Sequence, residues 1–227
     1  MKISNRYGTI NVLGKKKRFG GGKTIGLSMS GGADSTMLCI LLAKTIQKKN
    51  LRTTIQPFNG LDLWAPLDSN GLPEIIKIIQ EMFPTVNINW PVSTVFNTNG
   101  DHDFDKNSYI RPFTRELLRK KFIDVIIPGI SLGPPLEAQK TFDVRDDDIY
   151  KIQRIPGYRL YNEVEQVDPA IAPYKNVDKR FIIQCYKDFN LRPLLDMTQS
   201  CTDPKGNCGH CWWCQERSWA IKEVFGE

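Results

Sequence analysis

The sequence has few histidines, no long apolar run and no internal repeat. Only two of the 227 residues are histidine, and one of them stands among clustered cysteines, so a Ser/His/Asp triad cannot be assembled. No stretch approaches the roughly 18 apolar residues of a membrane span. The N-terminus also lacks the apolar run of a secretory signal. We therefore expect a soluble, cytoplasmic protein with no membrane partner.

The chain does have enough apolar residues for one core, and it has an excess of basic residues. Hydrophobic residues make up 41% of the sequence, which suffices for one substantial domain with an appendage. Lysine and arginine total 31 against 25 acidic residues, a net charge of +6. Such a charge suits a polyanionic ligand, but it does not distinguish a nucleotide from a nucleic acid.

Short buried runs alternate with helical patterns along the chain. Strands are predicted over 24–29, 53–58, 86–90 and 124–128, and helices over 35–44, 72–82, 112–122, 179–189 and 216–224. This alternation predicts an α/β fold with a mainly parallel, Rossmann-like sheet covered on both faces. We divide the chain into a basic lead-in (1–22), a nucleotide-binding domain (23–195) and a C-terminal metal-binding segment (196–227).

Residues 30–35 read SGGADS and fall where the first core strand passes into a helix. The first turn of a helix has unpaired backbone N–H groups and a partial positive charge, which suit a polyphosphate. Gly31 and Gly32 let the backbone curl into a nest of donors, and nearby hydroxyls add to them. Asp34 would cap the helix or help to hold Mg²⁺. An ordinary Ser/Gly turn is the alternative interpretation.

Four of the six cysteines crowd into a C-terminal stretch. The candidate metal ligands are Cys201, Cys208, Cys211 and Cys214. Without a secretion signal, such a cluster indicates a metal site before a disulfide framework. Four thiolates suit closed tetrahedral Zn²⁺ coordination, which is structural. An iron–sulfur cluster and redox-active Cys-x-x-Cys pairs remain alternatives.

The SGGADS loop resembles the SGGxDS signature of the N-type ATP pyrophosphatases, the PP-loop superfamily. The resemblance implies a three-layer adenine nucleotide α-hydrolase-like fold and cleavage of ATP to AMP and pyrophosphate. The C-terminal cysteine spacing and the stretch 173–179 (PYKNVDK) resemble one branch, the 7-cyano-7-deazaguanine synthases of queuosine biosynthesis. Segment 130–137 departs from that branch, which usually has a polar, aspartate-containing segment there.

The resemblance implies roles for individual residues. Asp34, Ser35 and Lys179 would be catalytic, and Lys179 would approach the ATP phosphates or the reacting carboxylate. The alternative for Lys179 is an exposed lysine at a helix start. The expected ATP-binding residues are Leu27, Ser28, Ser30, Gly31, Gly32, Ala33, Asp34, Ser35, Thr36, Phe58 and Gly129.

The implied reaction is an ATP-dependent ligation, which converts a carboxylate on a 7-deazaguanine-like base to an amide or nitrile with ammonia. The cofactors would be ATP, Mg²⁺ and Zn²⁺, and the hypothesis requires the cysteine segment near the carboxyl edge of the sheet. A tRNA-modifying adenylase of the thiolation type is one alternative, with RNA bound through the basic run 15–18. A non-catalytic ATP sensor is another. The sequence leaves open a homodimer and a lid formed by 141–178.

Overall fold

A computed structural model describes residues 1–13, 22–63, 71–99, 107–143, 172–201 and 208–227. The basic run 15–18 and most of the segment 141–178 lie outside these residues. The strands are β1 (Lys2–Asn5), β2 (Gly8–Asn11), β3 (Thr24–Ser28), β4 (Thr54–Asp62), β5 (Val92–Phe96) and β6 (Val125–Ile127). The helices are α1 (Ala33–Lys49), α2 (Leu72–Met82), α3 (Asn107–Arg119), α4 (Leu136–Gln139), α5 (Lys179–Asp188), α6 (Arg192–Met197) and α7 (Trp212–Phe225).

Four strands form a parallel sheet in the order β5-β4-β3-β6. Successive residues of a strand point to opposite faces, and β4 shows what covers each face. Phe58 contacts Phe113 of α3, and a Cβ on Gly60 would meet Ile110 of the same helix. Ile55 points the other way, into the core cluster that α1 and α2 share. The predicted three-layer α/β fold is therefore confirmed.

The lead-in of the chain begins with a hairpin. Strands β1 and β2 pair antiparallel as a separate two-stranded sheet. Ile10, Val12 and Leu13 are buried in the main core cluster. The first 13 residues thus contribute apolar side chains to the core that carries the sheet.

The strand predicted over 86–90 is wrong. That segment forms an isolated bridge at Ile88 with Ile55, and the ladder beside β4 resumes with β5, at Val92. Proline explains the gap, because Pro57 lacks the N–H that would continue the bonding of Ile55 on this side of β4. Pro91, just before β5, lacks an N–H as well.

Other element boundaries also shift. Helix α3 begins at Asn107 and includes Pro112 in its interior, although the sequence predicted a start at this proline. Helix α7 begins at Trp212, directly after Cys211 as its N-cap, rather than near residue 216. Among the described helices, none is both long enough and apolar enough to cross a membrane.

Candidate functional site

The loop between β3 and α1 leaves the N-terminus of the helix without a side-chain cap. The buried Met29 donates its N–H to the carbonyl of Phe58 at 2.9 Å, which fixes the start of the loop beside β4. Gly31 then has φ +78°, a left-handed conformation that favours glycine. Gly32 is the N-cap of α1 and no side chain caps the helix. The first turn therefore presents backbone N–H groups with a partial positive charge.

Two glycines allow other parts of the chain to approach this first turn. A Cβ on Gly129, which follows β6, would lie 3.1 Å from Ser35 Cα and 3.2 Å from Ser35 N. A Cβ on Gly32 would lie 3.3 Å from the carbonyl of Gln199. The loop is thus lined by the end of β6 on one side and by the segment before the cysteines on another.

The structure brings Lys179 to Asp34 across 145 residues of sequence. The Lys179 ammonium lies 2.7 Å from both carboxylate oxygens of Asp34. It also lies 3.5 Å from Oε2 of Glu216. The side chain of Lys179 is 5% exposed, that of Asp34 16% and that of Glu216 0%. Lys179 is therefore a buried residue of the site, and the alternative of an exposed helix-start lysine is wrong.

Helix α5 is held so that its first residue reaches the loop. Asp178 caps the helix by accepting a hydrogen bond from the backbone N–H of Arg180. About two helical turns after Lys179, the buried Tyr186 hydroxyl donates to the carbonyl of Ala33 at 2.9 Å. Burial raises the pKa of Tyr186 well above its usual value, so this hydroxyl stays a donor. The two contacts fix Lys179 at the start of α1.

Three hydroxyls were predicted to help bind phosphate, and they differ in position. Ser30 is exposed at the loop. Ser35 is buried, and its hydroxyl donates to the carbonyl of Gly32 at 3.3 Å. Thr36 is completely buried. Only Ser30 among these three presents its side chain at the surface of the loop. The N–H of Thr36 already donates to the carbonyl of Gly32 at 3.1 Å, so phosphate binding by Ser35 and Thr36 stays a prediction.

The residues expected near adenine lie at the ends of β3 and β4. Leu27 and Phe58 are buried, and Ser28 is partly exposed. The two apolar side chains face the core, so a ligand at this position would meet the strand backbones. Contact with adenine remains a prediction for all three.

Segment 130–137, which departs from the resembled family, contacts the same site. The Ser131 hydroxyl lies 3.5 Å from Oδ2 of Asp34. The N–H of Leu132 donates to the carbonyl of Val177 at 2.9 Å, which ties the segment to the residues before α5. A buried serine here supplies a polar contact to Asp34 that the sequence did not reveal.

The four clustered cysteines come together. Their Sγ atoms all lie within 4.8 Å of one another. The N–H of Cys208 donates to Cys201 Sγ and the N–H of Cys211 donates to Cys208 Sγ, each at 3.3 Å. Burial raises the pKa of Cys208, but N–H donors from Cys211 and His210 outweigh it and lower the pKa to about 7. Burial raises the pKa of Cys214 far above its usual value.

The spacing of these sulfurs fits one metal ion. Tetrahedral coordination with Zn–S bonds of about 2.3 Å separates the sulfurs by about 3.8 Å. In a four-iron cluster an iron atom stands between the centre and each thiolate, which spreads the sulfurs more widely. The two other cysteines, Cys39 and Cys185, stand apart, and burial raises the pKa of each to about 12. They therefore remain unreactive thiols.

The C-terminal segment that contains the cysteines (196–227) lies against the SGGADS loop (30–35). The N–H of Gln199 donates to the carbonyl of Gly31 at 3.1 Å. From the other side, the Arg217 guanidinium donates to the carbonyls of Thr198 and Leu195, both at 2.6 Å. The predicted position of the cysteines, near the carboxyl edge of the sheet, agrees with these contacts.

Sequence reasoning missed Glu216, although a signal was present. Trp212, Glu216 and Ala220 recur at intervals of four residues, and all three are completely buried. Residues spaced by four share one face of a helix. A glutamate within the apolar stripe of a helix indicates a buried cationic partner, which the structure identifies as Lys179.

No protein-family model matches the sequence, and no curated protein matches it. Among solved structures, the chain is similar to the U34-tRNA thiolase NcsA from Methanococcus maripaludis, determined with its [4Fe-4S] cluster. The TM-score is 0.50, with 11% sequence identity, over 93% of this chain and 68% of that chain. The likeness shows that the two proteins share a fold.

Proposed function

We propose that this protein binds Mg·ATP on residues 30–36 and cleaves it to AMP and pyrophosphate while it adenylates a substrate. The observation that carries the proposal is the contact of Lys179 with Asp34 at an uncapped helix N-terminus. A buried lysine, a carboxylate and free backbone donors at one point suit a polyphosphate with its cation. The shared fold with a tRNA thiolase and the SGGADS signature support the same class.

Backbone and side-chain groups of the site would make different contacts with ATP. Backbone N–H groups of the first turn of α1 would donate hydrogen bonds to the phosphate oxygens, with the curl at Gly31 bringing these donors together. The Lys179 ammonium would pass from Asp34 to a phosphate oxygen, and Asp34 would then be free to bind the cation. Bound Mg²⁺ supplies neutralisation of phosphate charge. Because Lys179 is buried, its charge is little screened by water.

For the acceptor we propose a carboxylate on a 7-deazaguanine-like base, which ammonia converts to an amide or nitrile after adenylation. The support is the order of matching segments along the chain and the cysteine spacing, which fits a single zinc ion. Cys201, Cys208, Cys211 and Cys214 would hold the zinc. Four thiolates close its coordination, so the ion would supply structural support.

A second candidate is the adenylation of tRNA for thiolation. The solved structure that shares this fold is a tRNA thiolase with a [4Fe-4S] cluster, and the cysteine cluster here offers four thiolates. The net charge of +6 also suits RNA. This candidate predicts RNA binding that weakens steeply with salt.

The test is release of AMP and pyrophosphate from Mg·ATP by the zinc-loaded protein. Ammonium and 7-carboxy-7-deazaguanine are supplied or omitted, and unmodified tRNA is supplied in a parallel series. Asp34→Ala is the inactive control. Release that requires the deazaguanine supports the ligase, and release that requires tRNA supports the second candidate. ATP binding without release in any series would contradict both and indicate a sensor.

A further inference from the structure

A buried charge cluster joins the SGGADS loop to the helix that follows the cysteines. Asp34 lies in the first turn of α1, Lys179 is the first residue of α5 and Glu216 lies in α7. The ammonium contacts one carboxylate at 2.7 Å and the other at 3.5 Å. Three separate parts of the chain thus meet at one nitrogen.

Glu216 differs from Asp34 in how it is held. Its side chain is completely buried, whereas Asp34 is 16% exposed at the loop. Two positions before Glu216 stands Cys214, and the next residue, Arg217, is anchored to the carbonyl of Thr198. Glu216 therefore belongs to a fixed part of the structure, while Asp34 borders the position where a ligand would bind.

The three side chains comprise two carboxylates and one ammonium, and the Arg217 guanidinium also interacts electrostatically with Asp34. Because both carboxylates contact the same ammonium, their nearest oxygens lie within about 6 Å of each other. At this separation two like charges repel appreciably in a protein interior. The charge of Glu216 therefore favours a cation at Asp34 and disfavours an unneutralised polyphosphate. Glu216 also keeps a carboxylate beside the Lys179 ammonium if Asp34 binds a cation instead.

We propose that Glu216 is a positioning residue that makes the site select Mg·ATP over metal-free ATP. It retains the Lys179 ammonium while Asp34 exchanges it for Mg²⁺, and its charge raises the affinity for the cation. This inference rests on the proposed function, because it assumes that ATP binds at residues 30–36.

The test compares two dissociation constants of ATP for each preparation, one without divalent cation and one with saturating Mg²⁺. Isothermal titration calorimetry of the zinc-loaded protein measures both. In Glu216→Gln, which keeps the shape and removes the charge, we expect the Mg²⁺ preference to fall about tenfold. Metal-free ATP should bind more tightly and Mg²⁺ should strengthen binding less. A merely structural role would weaken both and leave their ratio unchanged.

Two further variants separate charge from shape. Glu223→Gln is the matched control, since Glu223 lies two turns further along α7, is 46% exposed and stands 4.0 Å from Arg180. It should keep the wild-type ratio. Glu216→Asp keeps the charge and should keep most of the preference. Equal losses in the Gln and Asp variants would assign the effect to shape and overturn the proposal.

The outcomes distinguish this inference from the function on which it rests. A wild-type protein that binds no ATP overturns both. The role of Glu216 alone is overturned if the wild-type protein binds ATP and the ratio of the two dissociation constants in Glu216→Gln lies within about twofold of the wild-type ratio. If Glu216→Gln does not fold, the wild-type ratio still decides, because equal affinities with and without Mg²⁺ contradict the proposal.

Discussion

Replacing Lys179 by methionine would leave two carboxylates in a buried site without the ammonium that they share. Methionine has nearly the same length and adds no charge. Glu216 is completely buried and Asp34 is 16% exposed, so water can compensate little for the loss. Removing one partner from a buried ion pair typically costs about 3–5 kcal/mol. We expect Lys179→Met to lower the free energy of unfolding by about this amount.

Urea unfolding of the zinc-loaded protein, followed by circular dichroism, measures this loss. The control is Lys140→Met, because Lys140 contacts Glu137 at 3.2 Å with both side chains more than two-thirds exposed. An exposed pair contributes about 0–1 kcal/mol, so the control should change stability little. The double variant Lys179→Met/Glu216→Gln should recover part of the loss, since it removes the carboxylate that is most deeply buried.

A loss below about 1 kcal/mol in Lys179→Met would refute this reasoning. It would mean that water or another cation compensates the two carboxylates, and that they do not depend on the buried ammonium that they share. Failure of the double variant to recover any stability would contradict the assignment of the cost to Glu216. Either result would also weaken the proposal that the Lys179 ammonium leaves Asp34 and binds a phosphate oxygen of ATP.

Three further predictions concern the loop and the thiols. Gly31→Ala should weaken ATP binding by at least about tenfold. The control is Gly226→Ala, because Gly226 has nearly the same left-handed φ and open space around it. This control should have a similar backbone cost of about 1 kcal/mol and leave ATP binding unchanged. Gly129→Ala should weaken ATP binding, measured by calorimetry, because its Cβ would press on Ser35 N. With a chelator at pH 8, a thiol reagent should modify Cys208 first, because backbone N–H donors lower its pKa to about 7. Cys39 and Cys185, whose pKa values burial raises to about 12, should react only after unfolding.

Local patterns predicted the parts of the site that depend on adjacent residues. The SGGADS segment spans the junction of β3 and α1 as expected, because a buried run followed by glycines and a helical pattern specifies this junction by itself. The four cysteines also meet as expected, since three of them lie within seven residues. Lys179 was identified through a resemblance, and the structure places it at Asp34.

Features that depend on distant parts of the chain were not predicted. Glu216 was missed although the spacing within α7 carried a signal for it, and the identity of its partner depends on how α5 and α7 pack together. The bond from Gln199 to Gly31 joins two backbones, so no side chain signals it. The wrong prediction of a strand over 86–90 also depends on a distant residue, because an apolar run forms a ladder only where the neighbouring strand offers N–H donors. Pro57 on β4 withholds one.

The contacts between the cysteine segment and the loop indicate what a bound metal would do. Four thiolates close the coordination of a single ion, so the ion would act by fixing the segment that holds Gln199 against Gly31 and by fixing where α7 begins. The same helix carries Glu216, which contacts Lys179. Both connections lead to the SGGADS loop. If these groups bind ATP as proposed, loss of the metal should appear first as weaker ATP binding, because the four cysteines would order the proposed ATP-binding groups from outside the reacting atoms.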